Sequence, residues 1–142
     1  MNNIYIYVNN PIVDLPDCKN ISVQELSTIE TESVDNLYIM NLLDVLNITD
    51  QQGVLESCIS KLKPNIGQLH IQSTDLKLFC NAVTFDKISL EASQQILYRN
   101  RIYMHTMNDI VKLMEASNLK CIIKKYINVF EYYISCVKIN DQ

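Results

Sequence analysis

Residues 62–69 of this 142-residue chain read Leu62-Lys63-Pro64-Asn65-Ile66-Gly67-Gln68-Leu69. The segment separates two hydrophobic patterns. Before it, Leu55, Cys58 and Leu62 recur at helical spacing, whereas residues 68–72 alternate as a strand does. Pro64 and Gly67 are residue types that stop a helix. The segment therefore predicts a helix, a turn and a strand in succession.

Upstream of this unit the chain predicts further strands and the start of the helix. Residues 4–8 and 34–40 are β-branched and aromatic runs, and residues 21–23 could form another short strand. The second of these runs is mostly apolar, which suits a strand covered on both faces. Thr49 and Gln52 have the spacing of a capping box. We therefore expect the helix to begin at Thr49.

Downstream of the unit the pattern becomes helical and then ends in two strands. Helices are predicted over residues 76–83 and 90–98, and a third helix follows Thr106 as its N-cap. Asn118 can supply the left-handed residue that ends this third helix.

The last two β-rich runs predict an antiparallel hairpin. Residues 121–127 and 130–139 are joined by a turn at residues 128–129. This turn places Cys121 opposite Cys136, at a distance where the side chains touch. We expect two packed thiols there, because a reducing cytoplasm disfavours a disulfide.

Strands, helices and a final hairpin in this order predict an α/β fold. We expect one domain, residues 1–142, with a mostly parallel sheet, helices on its faces and an antiparallel hairpin at its edge.

The composition excludes several classes of function. Twelve Lys and Arg stand against 16 Asp and Glu, for a net charge of −4, so no basic cluster is available for a nucleic-acid backbone. No run reaches the ~18 apolar residues of a membrane helix. The amino terminus lacks the basic start of a signal peptide. We therefore expect a cytoplasmic protein that binds neither nucleic acid nor a membrane.

The five cysteines do not form a metal-binding pattern. They stand at positions 18, 58, 80, 121 and 136, with no C-x-x-C spacing, and the chain has only two histidines, His70 and His105. We expect no metal site and buried free thiols instead.

The order of elements resembles the later part of class I S-adenosylmethionine-dependent methyltransferases. In that family a strand opening with Asp is followed by a helix, a Leu-Lys-Pro-Gly-Gly turn, a fifth strand and a terminal antiparallel pair. Residues 33–38 look like the fourth strand with its lead-in. Residues 62–67 look like the turn, with Asn65 and Ile66 replacing its first glycine region. The resemblance covers residues 33–138 and implies a truncated Rossmann-like fold whose cofactor-binding first part is incomplete.

The resemblance fails where the family binds its cofactor. Family members carry a Gly-x-Gly turn after the first strand, because glycine lets the backbone approach the ligand. Here the first strand is followed by Asn9, Asn10 and Pro11, and no glycine precedes Gly53. The resemblance therefore implies that cofactor binding is lost. If S-adenosylmethionine were bound, Asn9 and Asn10 would lie beside it.

Two acidic features of the family also change. A second strand normally ends in an acid that binds the ribose, but the chain between Pro11 and Ile21 is too short for both a helix and that strand. Asp14 or Asp17 would have to supply the acid. Many relatives carry His-x-Leu-Glu-His after the fourth strand. The matching positions here keep only the acid, as Asp44.

Polar residues are expected at the carboxyl edge of the sheet, where open α/β folds bind ligands. The candidate cleft residues are Asn41, Asp44, Ser73, Asp75 and His105. In one interpretation Asp44 is solvated, Thr74 or Asp75 caps the next helix, and His105 is a helix-end residue. In the other, these residues line a repurposed cleft. No nucleophile accompanies either histidine, so no catalytic residue is assigned.

Eight tyrosines form a second pattern with two interpretations. Tyr126, Tyr132 and Tyr133 lie on the predicted hairpin, and Tyr98 and Tyr103 lie near the third helix. They could be partly buried core aromatics. They could also form the surface of a homodimer, because tyrosine is enriched at interfaces.

Three hypotheses for function follow. The first is a methyltransferase-like domain that has lost S-adenosylmethionine binding and acts without catalysis, as a homodimer or by binding another protein. The second is a minimal active methyltransferase that holds the cofactor with Asn9, Asn10 and Asp44. The third is a module that binds another small ligand in the same cleft.

Overall fold

A computed structural model describes residues 1–98 and 103–140 of the chain. The elements, in order, are β1 (Asn3–Tyr7), β2 (Lys19–Ser22), a 3-10 helix (Val23–Thr28), β3 (Asn36–Met40), α1 (Leu42–Val45), α2 (Ile48–Lys61), β4 (Gln68–Thr74), α3 (Leu76–Thr84), α4 (Leu90–Tyr98), α5 (Met107–Ala116), β5 (Leu119–Tyr126) and β6 (Glu131–Lys138). Both the helix-turn-strand unit and the final hairpin occupy the places that the sequence predicts.

The six described strands form one sheet in the order β2-β1-β3-β4-β6-β5. Strands β1 to β4 are parallel, and Leu37 of β3 pairs with Leu69 of β4. Strand β6 joins β4 in the antiparallel sense and pairs with β5 as a hairpin. The prediction of an α/β fold with a mostly parallel sheet and an antiparallel edge is confirmed.

The order of the strands reverses at β1. Strand β2 lies on one side of β1, and the chain then returns to place β3 on the other side. In open α/β sheets such a switch point leaves a crevice outside the carboxyl ends of the two central strands. The topology therefore locates a candidate ligand site between β1 and β3.

The connection from β1 to β2 has no helix. Residues 8–18 form a loop, yet Lys19–Ser22 still pairs in parallel with β1. The loop is fixed by a hydrogen bond from the Ile12 amide to the Tyr5 hydroxyl at 3.2 Å. The prediction that the chain is too short for both a helix and a second strand is confirmed, because only the strand forms.

One face of the sheet carries the hydrophobic core. Its strand residues are Ile4, Ile6, Ile21, Leu37, Ile39, Leu69, Ile71, Ile134 and Cys136. The apolar stripes of α2 and α5 pack on them, with Leu55 and Cys58 from the first helix and Ile110 and Met114 from the second. We name this surface the core face.

The other face is polar and aromatic, and we name it the tyrosine face. Alternation and register assign to it Tyr5, Tyr7, Asn36, Tyr38, Met40, Gln68, His70, Gln72, Tyr133, Ser135 and Val137. The core cluster contains none of them. The loop of residues 8–18 covers Tyr5, which is fully buried, whereas Tyr38 and Tyr133 are half-buried. The hairpin tyrosines therefore lie on both faces, because Tyr133 belongs to the tyrosine face and Tyr132 is buried on the core face.

Several predicted boundaries need correction. Helix α2 begins at Ile48 and not at Thr49, because Asn47 is the N-cap and its side chain accepts from the Thr49 amide at 3.1 Å. Gln52 does not reach back, since it bonds Glu56 instead. Val23 belongs to the 3-10 helix, whose capping box with Ser22 ends β2.

The two hairpin cysteines are opposite each other, but the predicted turn is wrong. A turn at residues 128–129 would pair Tyr126 with Glu131, whereas Tyr126 pairs with Tyr132, and a β-bulge between Cys121 and Ile123 restores the pairing of Cys121 with Cys136. The structure joins Cys121 and Cys136 as a disulfide, so the expectation of two separate thiols is wrong. Direct opposition on neighbouring strands brings the sulfur atoms within bonding reach. Cys18, Cys58 and Cys80 are thiols. No helix in residues 1–98 and 103–140 combines the length and apolar character needed to cross a membrane.

Candidate functional site

A cleft of about 900 Å³ opens at the switch point of the sheet. Tyr5 and Tyr7 of β1 form one wall, and the loop after β1 contributes Asn9 and Asn10. Met40 lies across the cleft on β3. The volume of the cleft lies within the ~300–1,000 Å³ range of small-molecule sites.

The lining of the cleft is acidic. Asp50 and Glu131 carry its charged groups, and no Lys, Arg or His lines it in the part of the chain that the structure describes. Tyrosine hydroxyls and amide side chains supply the remaining polarity. The cleft therefore favours neutral or cationic ligands over phosphates.

The turn after β1 keeps a left-handed residue without using glycine. Asn9 has a φ of 58°, a conformation that asparagine tolerates better than most residues. Its side chain occupies space that a glycine would leave for a ligand. Asn65, with a φ of 64°, replaces glycine in the same way in the turn before β4. The sequence analysis names both positions as departures from glycine but does not predict their left-handed conformation.

Three of the predicted cleft residues, Asn41, Asp44 and Ser73, meet in a buried network after β3. Asn41 is itself left-handed, with a φ of 55°, and its side-chain amide donates to Asp44 at 3.1 Å and to Glu131 at 2.8 Å. Asp44 is 1% exposed, so the interpretation that it is solvated is wrong. The amide thus bridges two acidic side chains.

The Asp44 carboxylate accepts further hydrogen bonds from the end of β4. The Ser73 hydroxyl donates to it at 2.8 Å, and Thr74 donates through its hydroxyl at 2.7 Å and its amide at 3.1 Å. Burial raises the pKa of the nearby Tyr132 phenol, and the Asp44 charge adds to the rise. A buried carboxylate is tolerated only with such partners. Asp44 therefore ties β3, α1 and β4 together.

Asp75 stabilises the starts of two helices at once. Its side chain accepts from the Leu78 amide of α3 at 3.0 Å and from the Met107 amide of α5 at 2.8 Å. Capping of the helix after β4 by Asp75 is confirmed. Both carboxylate oxygens are occupied by backbone donors, which is the role of a structural cap.

His105 and His70 lie apart from each other and each is hydrogen-bonded. His105 bonds Gln51 of α2 through Nε2 at 2.7 Å. His70 bonds the Tyr133 hydroxyl through Nδ1 at 2.7 Å and the side-chain Oδ1 of Asn36 through Nε2 at 3.0 Å. Burial lowers the pKa of His70 to about 4, so this ring is neutral at pH 7. His70 is therefore a packed residue with both ring nitrogens hydrogen-bonded.

No acid from the β2 region reaches the cleft lining. Asp14 and Asp17, which the sequence offers as ribose ligands, do not line it. The acid that follows β2 is Glu25, which accepts from the Ser22 amide at 3.2 Å in a capping box. Within the described residues, no group of three His, Cys, Asp or Glu side chains is placed to hold a metal ion.

Comparison with solved structures gives the fold a name. The chain superposes on an O-methyltransferase family protein from Burkholderia thailandensis with a TM-score of 0.58 and 13% identity, covering 87% of this chain. It superposes on magnesium protoporphyrin IX methyltransferase from Synechocystis PCC 6803 with bound SAH, with a TM-score of 0.58, 13% identity and 85% coverage. A SAM-dependent methyltransferase from Methanosarcina mazei gives 0.58, 13% and 87%. The chain has the class I methyltransferase-like fold.

The match is partial on the side of the relatives. The chain spans 37% of the Burkholderia protein, 51% of the Synechocystis enzyme and 68% of the Methanosarcina protein. No protein-family model and no curated protein sequence matches it. Identity at this level carries the fold alone, and activity has to be argued from the site.

Proposed function

We propose that this protein is a non-catalytic binding domain built on the methyltransferase fold, which binds no S-adenosylmethionine and acts through protein contacts. The observation that carries the proposal is the loop after β1. It contains no glycine, and its Ile12 amide donates a hydrogen bond to the Tyr5 hydroxyl of β1. A cofactor that needs close backbone approach at this point meets side chains instead.

The polar residues around the cleft support the same proposal. The carboxylate oxygens of Asp44 and Asp75 accept hydrogen bonds from groups within the fold, and Ser73 is one of the donors to Asp44. A catalytic base needs to reach a proton on the substrate. Groups that hold strands and helices together cannot leave those partners without cost.

The expected cytoplasmic location stays a prediction.

The cleft itself supports a second candidate function. Its volume and acidic lining would accommodate a neutral or cationic small molecule. This ligand could be S-adenosylmethionine, whose sulfonium is positive, in a minimal active methyltransferase, or another compound altogether. Saturable cofactor binding separates this candidate from the first.

Calorimetric titration of the full chain with S-adenosylmethionine and S-adenosylhomocysteine tests the proposal. We expect no saturable heat with either ligand up to about 1 mM, which corresponds to binding weaker than about −4 kcal/mol. A methyltransferase that binds the same ligand stock serves as control. Micromolar binding, about −8 kcal/mol, would reject the proposal and favour the enzyme.

A further inference from the structure

The tyrosine face is an unusual surface for a parallel sheet. Such sheets occur almost only with both faces covered. Here the core face carries the hydrophobic cluster. Among the described residues, the loop of residues 8–18 covers part of the tyrosine face, over Tyr5. Tyr38, Gln68, Gln72 and Tyr133 remain partly accessible in the middle of the sheet. This geometry points to a surface that another body covers.

Three aromatic rings make the centre of this face flat and rigid. The Tyr38 and His70 rings stack with centroids 4.4 Å apart and planes inclined by 10°. The Tyr133 ring lies 6.1 Å from His70 on its other side, and its hydroxyl bonds the imidazole. Tyrosines of this kind present large contact areas with little conformational freedom to lose.

The centre of the face is also uncharged and self-complementary. Gln68 and Gln72 flank His70 along β4, and Asn36 lies beside it on β3. Side-chain amides both donate and accept hydrogen bonds, so two such surfaces can pair with each other. His70 is neutral at pH 7, and therefore two copies of the face do not repel each other at the centre.

Charges of opposite sign stand on either side of this neutral centre. Lys125 of the edge strand β5 lies on the tyrosine face, with its Nζ 5.4 Å from the Tyr133 ring centroid. Asp14 and Asp17 are exposed on the loop at the β1 side. A two-fold axis parallel to the strands would place the lysine side of one copy over the aspartate side of the other. This arrangement is complementary in charge.

We propose that the tyrosine face is the contact surface between two copies of this chain, related by a two-fold axis parallel to the strands. The inference names the partner of the binding function proposed above and rests on it. Isologous pairing of this kind is the commonest form of soluble oligomer. The dimer covers the bare face of the parallel sheet, including the part where Tyr7, Met40 and Gln72 also line the carboxyl-edge cleft.

Sedimentation equilibrium of the full chain tests the inference. We expect a mass of twice 16.4 kDa at micromolar concentrations. Lys125→Glu places a negative charge opposite Asp14 and Asp17, and it should raise the dimer Kd at least about fivefold. Lys124→Glu is the matched control, because Lys124 neighbours Lys125 but pairs with Ile134 on the other side of the sheet. It should leave the Kd within about twofold.

A second variant keeps the test independent of folding. Asp14→Lys in the Lys125→Glu background restores opposite charges and should recover most of the lost affinity, with circular dichroism confirming the fold of each variant. A monomeric wild type, or equal effects of Lys124→Glu and Lys125→Glu, would overturn the inference. A monomer that also ignores S-adenosylmethionine would reject the second copy as partner while leaving the non-catalytic function in place.

Discussion

The side chain of Asp44 occupies the position where the resemblance places an acid of the active site, yet its environment is that of a structural group. It is 1% exposed and accepts hydrogen bonds from Asn41, Ser73 and Thr74. Those donors come from the ends of two neighbouring strands. Retention of an acid at a family position is therefore compatible with a purely structural use.

Replacement of Asp44 by alanine tests this role. Asp44→Ala leaves several buried donors without an acceptor and should lower the free energy of unfolding by about 3–5 kcal/mol. Glu115→Ala removes an exposed carboxylate of α5 and should change it by less than about 0.5 kcal/mol. Urea denaturation measures both. Equal, small effects would mean that Asp44 is available for ligand chemistry.

His70 makes the stability of the protein depend on pH. Its folded-state pKa is lowered to about 4 by burial, against about 6.5 in the unfolded chain, so between these values the unfolded state binds more protons. Stability is therefore complete above pH 6.5 and is lost as the pH falls. From pH 6.5 to 5 this one group should cost about 2 kcal/mol.

The pH effect is measured by comparing unfolding curves of the wild type with those of His70→Gln. The variant is less stable at pH 7 but should lack this component, so the difference between the two proteins shrinks on acidification. Gln68→Ala is the control, because Gln68 lies beside His70 on β4 and has no titratable group, and it should retain the wild-type pH profile. A constant difference between wild type and His70→Gln from pH 7 to 5 would contradict the assignment.

At the scale of elements, the turn of residues 62–69 depends on one glycine. A Cβ on Gly67 would lie 2.6 Å from the Lys63 nitrogen and 2.7 Å from its oxygen. Gly67→Ala should therefore destabilise the protein by about 2–4 kcal/mol, because backbone has to move. Gly53 lies inside α2 with open space around it, so Gly53→Ala should stabilise by about 0.5–1 kcal/mol.

This pair of glycines gives a test with opposite signs. Thermal denaturation of the two alanine variants measures it directly. Tolerance of Gly67→Ala would show that the turn is wider than the structure has it. Destabilisation by Gly53→Ala would place an unseen contact on that side of α2.

Elements were predictable from sequence where local patterns dominate. The hairpin and the Thr106 cap follow from adjacent residues, whereas the hairpin register does not, because the β-bulge between Cys121 and Ile123 that places Cys121 opposite Cys136 leaves no signal in the local pattern. Helix α2 began earlier than expected because two cap residues competed, and Asn47 prevailed over Thr49. Both residue types cap helices, and asparagine is the stronger N-cap.

The candidate site was less predictable because its contacts are remote in sequence. Asn41 and Asp44 bond each other locally, but Glu131 joins them from 90 residues away. The sequence predicts polar residues at the carboxyl edge of the sheet, but of the five candidates only Asn41 lines the cleft. The pattern does not indicate that these polar groups bond one another. The burial of Asp44 is the consequence that reasoning from pattern alone could not reach.

At the scale of the molecule, the chain has the methyltransferase-like sheet, with α2 and α5 packed on the core face. The loop after β1 contains no glycine. A cleft lies at the switch point, and the loop after β1 is hydrogen-bonded to Tyr5 of the tyrosine face, which also lines this cleft. If dimer formation covers that face, the sheet serves as a platform for association. The fold would then have been retained for its surfaces and not for its cofactor.

Residue-resolved NMR tests whether the cleft binds S-adenosylmethionine. Proton–nitrogen correlation spectra of the labelled chain would be recorded during titration with S-adenosylmethionine to about 1 mM. We predict no saturable shifts for the amides of Tyr7, Asn9, Asn10 and Met40, which border the cleft. Saturable shifts confined to these amides would contradict the account and establish a working cofactor site.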